Sequence, residues 1–425
     1  MKEKSYSVNG INLYSFTNPN LRSFCVSLYI RFGSMFEEAC ENGISHLFEH
    51  IVFRNIKSKY ECFYDLLTSC GLNFQGCTYK EFMRFSITGP IYSFDFASDI
   101  ICSIFDEIKL SSLEFNNEKK RIKAEIREKD EKSSLDYYFS RLVWYDTEAE
   151  KTVLGYCKTI DNTSIKKINS FRRKILSKGN CFIYVTGNVS QNDIDNLVEK
   201  VSVIDISPDK AGFNNFITVS DGFFNRDGIP KVKDNSWNYV KIGFDVDCTK
   251  FSGGVFDVLY SVLFKGDTAL VHNYLSEDNP VIYSFDSTFE QYDNIGNLNF
   301  KFEVDSDKLL DSVKLIIEVI NAVKSGKFNF DANLRSEMIT AEMEFDKPDD
   351  LNWSMAYYNH ILNTDRIDYS DELYGRFRGV TKELVMEAAE EIFRKSNMTV
   401  AIKGDKKKIN VNDIIDVLNV FEYLF

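Results

Sequence analysis

Gly43-Ile-Ser-His46-Leu-Phe-Glu49-His50-Ile-Val-Phe53 sets two histidines and a glutamate in the order H-x-x-E-H. This is the reverse of the H-E-x-x-H order of zinc-binding helices. On a helix, residues three and four apart share a face, so this spacing turns both imidazoles and one carboxylate toward the same space. Two rings can then hold a metal while the acid faces a water. The chain has four histidines, His46, His50, His272 and His360, and half of them fall in this one pattern. The other two have no ligand-type neighbours and read as structural or surface residues.

A hydrolytic zinc ion takes three protein ligands and leaves a position for water, so the pair needs a further partner. The acidic stretch beginning at Glu114 supplies candidates: Glu118 and Glu125 stand two helical turns apart, on one face with Ile122 between them. Taken alone, such a charged run reads as a solvated helix face. Glu128 is a reserve candidate.

In these two segments the sequence resembles the pitrilysin family of zinc metallopeptidases, in its short two-domain form similar to mitochondrial processing peptidase subunits. The resemblance implies that His46, His50 and Glu125 ligate zinc, that Glu49 is the general base, and that Glu118 is an outer acid orienting a ligand. Leu154-Gly155 and Val185-Thr-Gly-Asn-Val189 are also family-like. Where family members carry Asn-Ala-x-Thr on a substrate-binding edge strand, this chain has Gln75-Gly76-Cys77-Thr78, which leaves Gln75 as the candidate substrate contact. In the second domain, self-sufficient members supply an arginine and, seven residues later, a tyrosine. The matching stretch here places Ser276 at the arginine position and Tyr283 at the tyrosine position. A serine offers no fixed cation. The resemblance therefore implies a catalytic subunit that pairs with a homologous chain supplying an Arg/Tyr pair, a heterodimer ahead of a homodimer, enclosing a chamber in which peptides are cut. Processing of a precursor or leader peptide falls within that expectation. The competing expectation is a noncatalytic assembly or peptide-binding subunit that keeps the fold.

Composition bounds the rest. At 425 residues, 44% hydrophobic and 27% charged, the chain exceeds a single small core and implies two domains or more. A net charge of -13 disfavours nonspecific nucleic-acid binding, which depends on cations that neutralise phosphate, and leans toward a cationic peptide partner. Nine scattered cysteines with no C-x-x-C spacing suggest reduced, mostly buried thiols. No apolar run of about 18 residues interrupts the sequence, so membrane insertion is not expected, and a cytoplasmic location is.

The periodicities predict an α+β fold of two duplicated domains, each a mostly antiparallel sheet covered by helices. In the first half, strands are expected at 5–15, 23–32, 72–78, 82–88 and 181–188. Helices are expected at 42–53, 58–70, 91–109 and 115–130. The second half repeats the plan with strands at 239–247, 281–288, 295–304 and 398–402, and helices at 252–264, 306–324, 331–346 and 382–394. The expected boundaries are a zinc-bearing domain at 1–206, a linker at 207–236 and a metal-free domain at 237–425. The helix 252–264 stands where the histidine motif would recur and has no ligands.

Overall fold

The computed structural model describes residues 3–128, 134–208, 217–220, 223–266, 268–362 and 375–419. It divides into two units. The first comprises Met1–Asp130, Glu148–Asn215 and Glu342–Leu373; the second comprises Glu131–Thr147, Phe216–Ala341 and Tyr374–Phe425. The class is α+β, as the alternating strand and helix patterns predict.

The first unit is built on a six-stranded sheet of β1 (Lys4–Val8), β2 (Ile11–Thr17), β3 (Ser23–Ile30), β4 (Asn73–Thr78), β5 (Met83–Pro90) and β6 (Cys181–Gly187), in the order β1-β2-β6-β3-β5-β4. The single strand expected at 5–15 is a hairpin, turned at Asn9-Gly10, where both residues take positive φ. All pairings are antiparallel except β2 with β6. Among the described residues, β4 lies at an edge and pairs only with β5.

One face of this sheet is covered by α1 (Ile44–Lys57), α2 (Phe63–Ser69), α3 (Phe94–Ser103) and α4 (Ser112–Glu128), with helices Ile165–Ile175 and Gln191–Ser202. Their apolar stripes meet Val26, Leu28, Phe85 and Ile183 in one continuous core. The other face carries Phe16, Tyr29, Phe82, Phe182 and Tyr184, and is covered by helix Pro348–Ala356, which returns from far along the chain. That helix is fastened by polar groups. Arg84 pairs with Asp349 at 2.6 Å, Tyr29 donates to the Asn352 side chain at 2.9 Å, and Asn352 donates to the Tyr184 carbonyl at 2.9 Å.

The second unit has a five-stranded sheet of β7 (Lys231–Asp234), β8 (Asn238–Asp247), β9 (Ile282–Gln291), β10 (Ile295–Val304) and β11 (Met398–Gly404), in the order β7-β11-β8-β10-β9. Only β7 with β11 is parallel. This repeats the first sheet strand for strand once β1 is removed. A helix from the first half, Leu135–Val143, packs here: Phe139 sits against Gly243, where a β-carbon would lie 2.5 Å from the ring, and Asp136 pairs with Lys241 and Lys301.

Boundaries at 206 and 237 are therefore corrected. Residues 342–373 join the first unit and 131–147 the second. The supposed linker 207–236 also contributes β7 to a sheet, and its residues 209–216 and 221–222 lie outside the described ones. The expectation of mostly buried cysteines is corrected too. All nine are free, but Cys25, Cys181 and Cys248 alone are buried, while Cys40, Cys62 and Cys77 are exposed. Of the remaining histidines, His360 stacks on Tyr14 with ring centroids 3.7 Å apart, and its Nε2 lies 3.1 Å from Glu3, a structural placement.

The entry to α1 is the most constrained point of the first unit. Gly43, its N-cap, has φ of +97°, and a β-carbon there would come within 2.7 Å of the Leu154 carbonyl. Gly155 is equally tight from the other side, with φ of +69° and the Asn42 carbonyl 2.2 Å from a notional β-carbon. Only glycine tolerates both the conformation and the approach. Into this turn reaches Glu37, 2% exposed, whose carboxylate accepts from the Gly43 amide (2.7 Å), the Ser45 amide (2.8 Å) and the Asn42 side chain (2.7 Å). A helix start leaves such amides unsatisfied, and an anion there also suits the helix dipole. Burial pushes the Glu37 carboxyl up in pKa, and the three donated hydrogen bonds oppose it.

Replacing Glu37 with Ala would leave buried donors without an acceptor. The expected loss is about 2–4 kcal/mol of unfolding free energy, measured by urea titration. A loss below about 0.5 kcal/mol would show that the helix start does not depend on this carboxylate.

Candidate metal centre and cleft

α1 runs to Lys57, one turn beyond the expected end at 53, because Asn55 and Ile56 are buried. The Asn55 side chain accepts from the Lys109 amide at 2.9 Å and donates to the Glu107 carbonyl at 3.2 Å. The helix thus has tertiary support well past the motif. α4 crosses it with Phe115 and Ile122 turned into the core. Two turns separate Glu118 and Glu125 on that same helix, which aims both acids at α1.

The three residues read as ligands converge. His46, His50 and Glu125 each offer one ligand atom within 4.8 Å of the others. His46 Nε2 and His50 Nε2 both stand 3.8 Å from Glu125 Oε2. That separation exceeds a hydrogen bond. Two ligands at about 2.1 Å from a tetrahedral zinc are separated by about 3.4 Å, so the two histidine–Glu125 spacings exceed that value by a few tenths of an ångström. The donor chemistry also fits, two imidazoles and a carboxylate being a set that hydrolytic zinc accepts. Among the described residues this is the one group of three or more such side chains. The helix Gly253–Phe264 of the second unit is buried along nearly its whole length and holds no histidine.

Glu118 is 9% exposed, and its Oε2 lies 3.8 Å from His50 Nδ1, on the side of the ring away from Glu125. Desolvation lowers the His50 pKa, favouring the neutral ring that a metal requires, against the opposing charge of Glu125. Glu49 is half-buried, and burial raises its pKa; the Thr78 hydroxyl, donating to Oε2 at 2.7 Å, works the other way, and the Glu125 charge adds to the rise. The carboxylate is thus moved in the direction suited to accepting a proton near neutrality.

Thr78 lies on β4, and the strand approaches α1 so closely at Gly76 that a β-carbon there would come within 2.6 Å of Phe53 and 2.9 Å of Glu49. Gly76 therefore sets the distance between edge strand and helix. Gln75 is exposed on the same strand and lines the cleft. Tyr283 belongs to the second unit, where it is 63% exposed on β9 and donates to Asp305 at 2.7 Å. Ser276 lies in the irregular helical turn Asn273–Asp278.

Sequence reasoning assigned no role to Glu37 or Thr78. The former is an isolated acid nine residues before the motif. The latter ends the stretch Gln75-Gly76-Cys77-Thr78, and the threonine it shares with the Asn-Ala-x-Thr pattern was the available signal. The cleft next to the motif, about 450 Å³, is lined by Phe53, Arg54, Lys57 and Tyr64 as well as by the expected residues.

Comparisons with known proteins identify the family. Residues 14–155 match the family described as insulinase (peptidase family M16), and residues 162–333 match the peptidase M16 inactive domain. A Rickettsia felis protein named as an uncharacterized zinc protease is 26% identical over 196 residues, covering 45% of this chain and 48% of that one. The match thus spans about half the length of this curated relative. A Bacillus subtilis protein of the same description is 20% identical over 74% of this chain and 77% of its own. Subunit 1 of the yeast cytochrome b-c1 complex is 21% identical over 45% of this chain and 42% of its own. Among solved structures, a protease from Helicobacter pylori superposes with a TM-score of 0.80 at 18% identity, covering 95% of this chain and 99% of that one. No helix among the described residues is long and apolar enough to cross a membrane. The metal-type cluster on one α+β unit, the ligand-free repeat in the other and the two consecutive family matches make this chain a member of the M16 peptidase family, also called the pitrilysin or insulinase family, in its short two-domain form.

Proposed function

We propose that the chain is a zinc-dependent endopeptidase, the catalytic subunit of a dimer that cuts peptides in an enclosed chamber. The observation that carries this reading is the convergence of His46, His50 and Glu125 beside a Glu49 held by Thr78. His46, His50 and Glu125 would hold the ion, with Glu118 orienting the His50 ring from its far side. Bound zinc supplies Lewis acidity at a peptide carbonyl and lowers the pKa of a water toward neutrality. Glu49 takes a proton from the attacking water and returns it to the leaving amine. Thr78 keeps the carboxylate in one rotamer for both transfers. β4, as an edge strand, offers unpaired backbone groups to an extended peptide, and Gln75 adds a side-chain amide along that path.

Ser276 in place of an arginine supports a division of labour in which a homologous partner contributes the Arg/Tyr pair, with Tyr283 here as the remaining half. A precursor or leader peptide is the substrate this arrangement suits. Nine free thiols favour a reducing, cytoplasmic setting. The similarity to a respiratory-complex subunit supports a second reading, a noncatalytic assembly subunit.

Glu49→Gln should lower turnover of a quenched fluorescent peptide about a hundred- to ten-thousandfold while zinc, measured by mass spectrometry of the purified protein, stays at one per chain. Undiminished cleavage by that variant removes Glu49 as the base. Glu125→Ala should lose the zinc itself. Thr78→Val should keep zinc and lose about tenfold in kcat, the size of one hydrogen bond to a charged group. A wild-type chain that binds zinc yet cleaves nothing, alone or with a homologue bearing the Arg/Tyr pair, would support the noncatalytic reading. Full activity of the isolated chain would reject the partner.

A further inference from the structure

The extra turn of α1 places Phe53, Arg54 and Lys57 in line with His50, at intervals of three, four and seven residues, so one helix stripe continues from the metal-type cluster into the cleft. Phe53 and Phe74 of β4 form its floor, with ring centroids 4.3 Å apart. Around that apolar floor stand three cations. The Lys57 ammonium lies 4.6 Å from the ring centroid of Tyr64, itself 59% exposed on α2. Arg121 projects from α4 between Glu118 and Glu125 and is exposed. Arg54 is held only loosely, its Nε 3.8 Å from Glu114, whose other carboxylate oxygen is engaged by Ser111.

Among the described residues, Lys57 and Arg121 have no carboxylate within ion-pair reach. Against these three cations the cleft sets two acids, Glu49, which accepts from Thr78, and Glu118, which faces the His50 ring at 3.8 Å. A concave site with an apolar floor and a cationic rim is complementary to a side chain that has methylenes below and a carboxylate at its tip. Glutamate fits this better than aspartate, whose single methylene would not reach across the floor.

We propose that this cleft is a specificity pocket for an acidic residue, glutamate above all, close to the bond that is cut. The proposal rests on the peptidase reading and names its substrate class. The pocket's sign is opposite to that of the whole chain, so the preference is a local property and does not follow from net charge.

The test uses the full chain and a family of C-terminally amidated peptides identical but for Glu, Gln, Phe or Lys at each position around the cleavage site. Amidation leaves the side chain as the source of the carboxylate. At one position Glu should exceed Gln in kcat/KM by about tenfold and Lys by about a hundredfold, with the preference shrinking as salt is raised. In the double variant Lys57→Glu, Arg121→Glu, the order of Glu and Lys peptides should invert. The same peptides, labelled, are bound to the zinc-loaded Glu49→Gln protein and followed by fluorescence anisotropy. That binding arm reports the preference even if the peptidase reading fails and nothing is cleaved. Equal binding of Glu and Lys peptides, tighter binding of Phe than Glu, or an order unchanged in the charge-reversed variant would overturn the proposal. Tighter binding of free-acid peptides than of amidated ones, with no response to the side chain, would overturn it in favour of a C-terminal carboxylate.

Discussion

The anion at the start of α1 is the interaction from which the site follows. An α-helix fixes the relative angles of His46, Glu49 and His50 by its own geometry, but not the direction in which that face looks. Glu37 fixes the direction. Its carboxylate spans the amides of Gly43 and Ser45 and the side chain of Asn42, while the near contact of Gly43 with Gly155 leaves the turn no freedom to slide. With its first turn held, α1 presents the motif to α4 on one side and to the β4 edge on the other. Burying an acid is unfavourable, and the raised pKa of Glu37 records that cost; three donated hydrogen bonds offset it. A neutral acceptor could not meet all three donors as well.

How much of this could be read beforehand depended on whether the signal was local. The histidine motif, the two-turn interval of Glu118 and Glu125 and most strands were legible, because spacing along one element survives in the sequence. That Glu125 rather than Glu128 meets the histidines came from resemblance, since both acids lie on one helix and only the crossing of α1 and α4 selects between them. Glu37, Thr78 and helix Pro348–Ala356 were not assigned, for a shared reason. Each acts on a partner that sequence spacing does not mark, and Pro-Asp-Asp-Leu-Asn-Trp-Ser-Met-Ala carries too few apolar residues to reveal which sheet it covers. The exchanged segments defeated the domain boundaries in the same way. Each unit borrows a short helix from the other half of the chain, a matter of topology that composition does not report.

The two sheets share one strand order, yet only one unit bears the ligands. The equivalent helices show what differs. In α1, His50, Glu49, Phe53 and Arg54 are only partly buried, and that stripe faces the cleft. In Gly253–Phe264, ten of twelve residues are buried, and the helix serves packing alone. A helix buried on all sides has no room for water or peptide beside it, so loss of the ligands and loss of the cleft go together. β9 correspondingly occupies the edge position of β4, and Tyr283, one of the four residues it exposes, is engaged by Asp305.

Charge separates the whole from the part. A net charge of -13 sets the long-range field of the chain, a property of the summed surface. Within a cleft, the nearest groups dominate because screening in salt removes contributions beyond about 8 Å. Lys57, Arg121 and Arg54 are those nearest groups on the rim, whereas of the cleft's acids Glu49 accepts from Thr78 and Glu118 faces the His50 ring. On the proposal of an acidic-residue pocket, a peptide with basic segments flanking an acidic residue would satisfy both fields at once, drawn in by the surface and set in register by the cleft. Of the rim cations, Arg121 also reaches the metal-type cluster, where desolvation and its charge together favour the neutral His50 ring, while Glu125 and Glu118 act in the opposite sense.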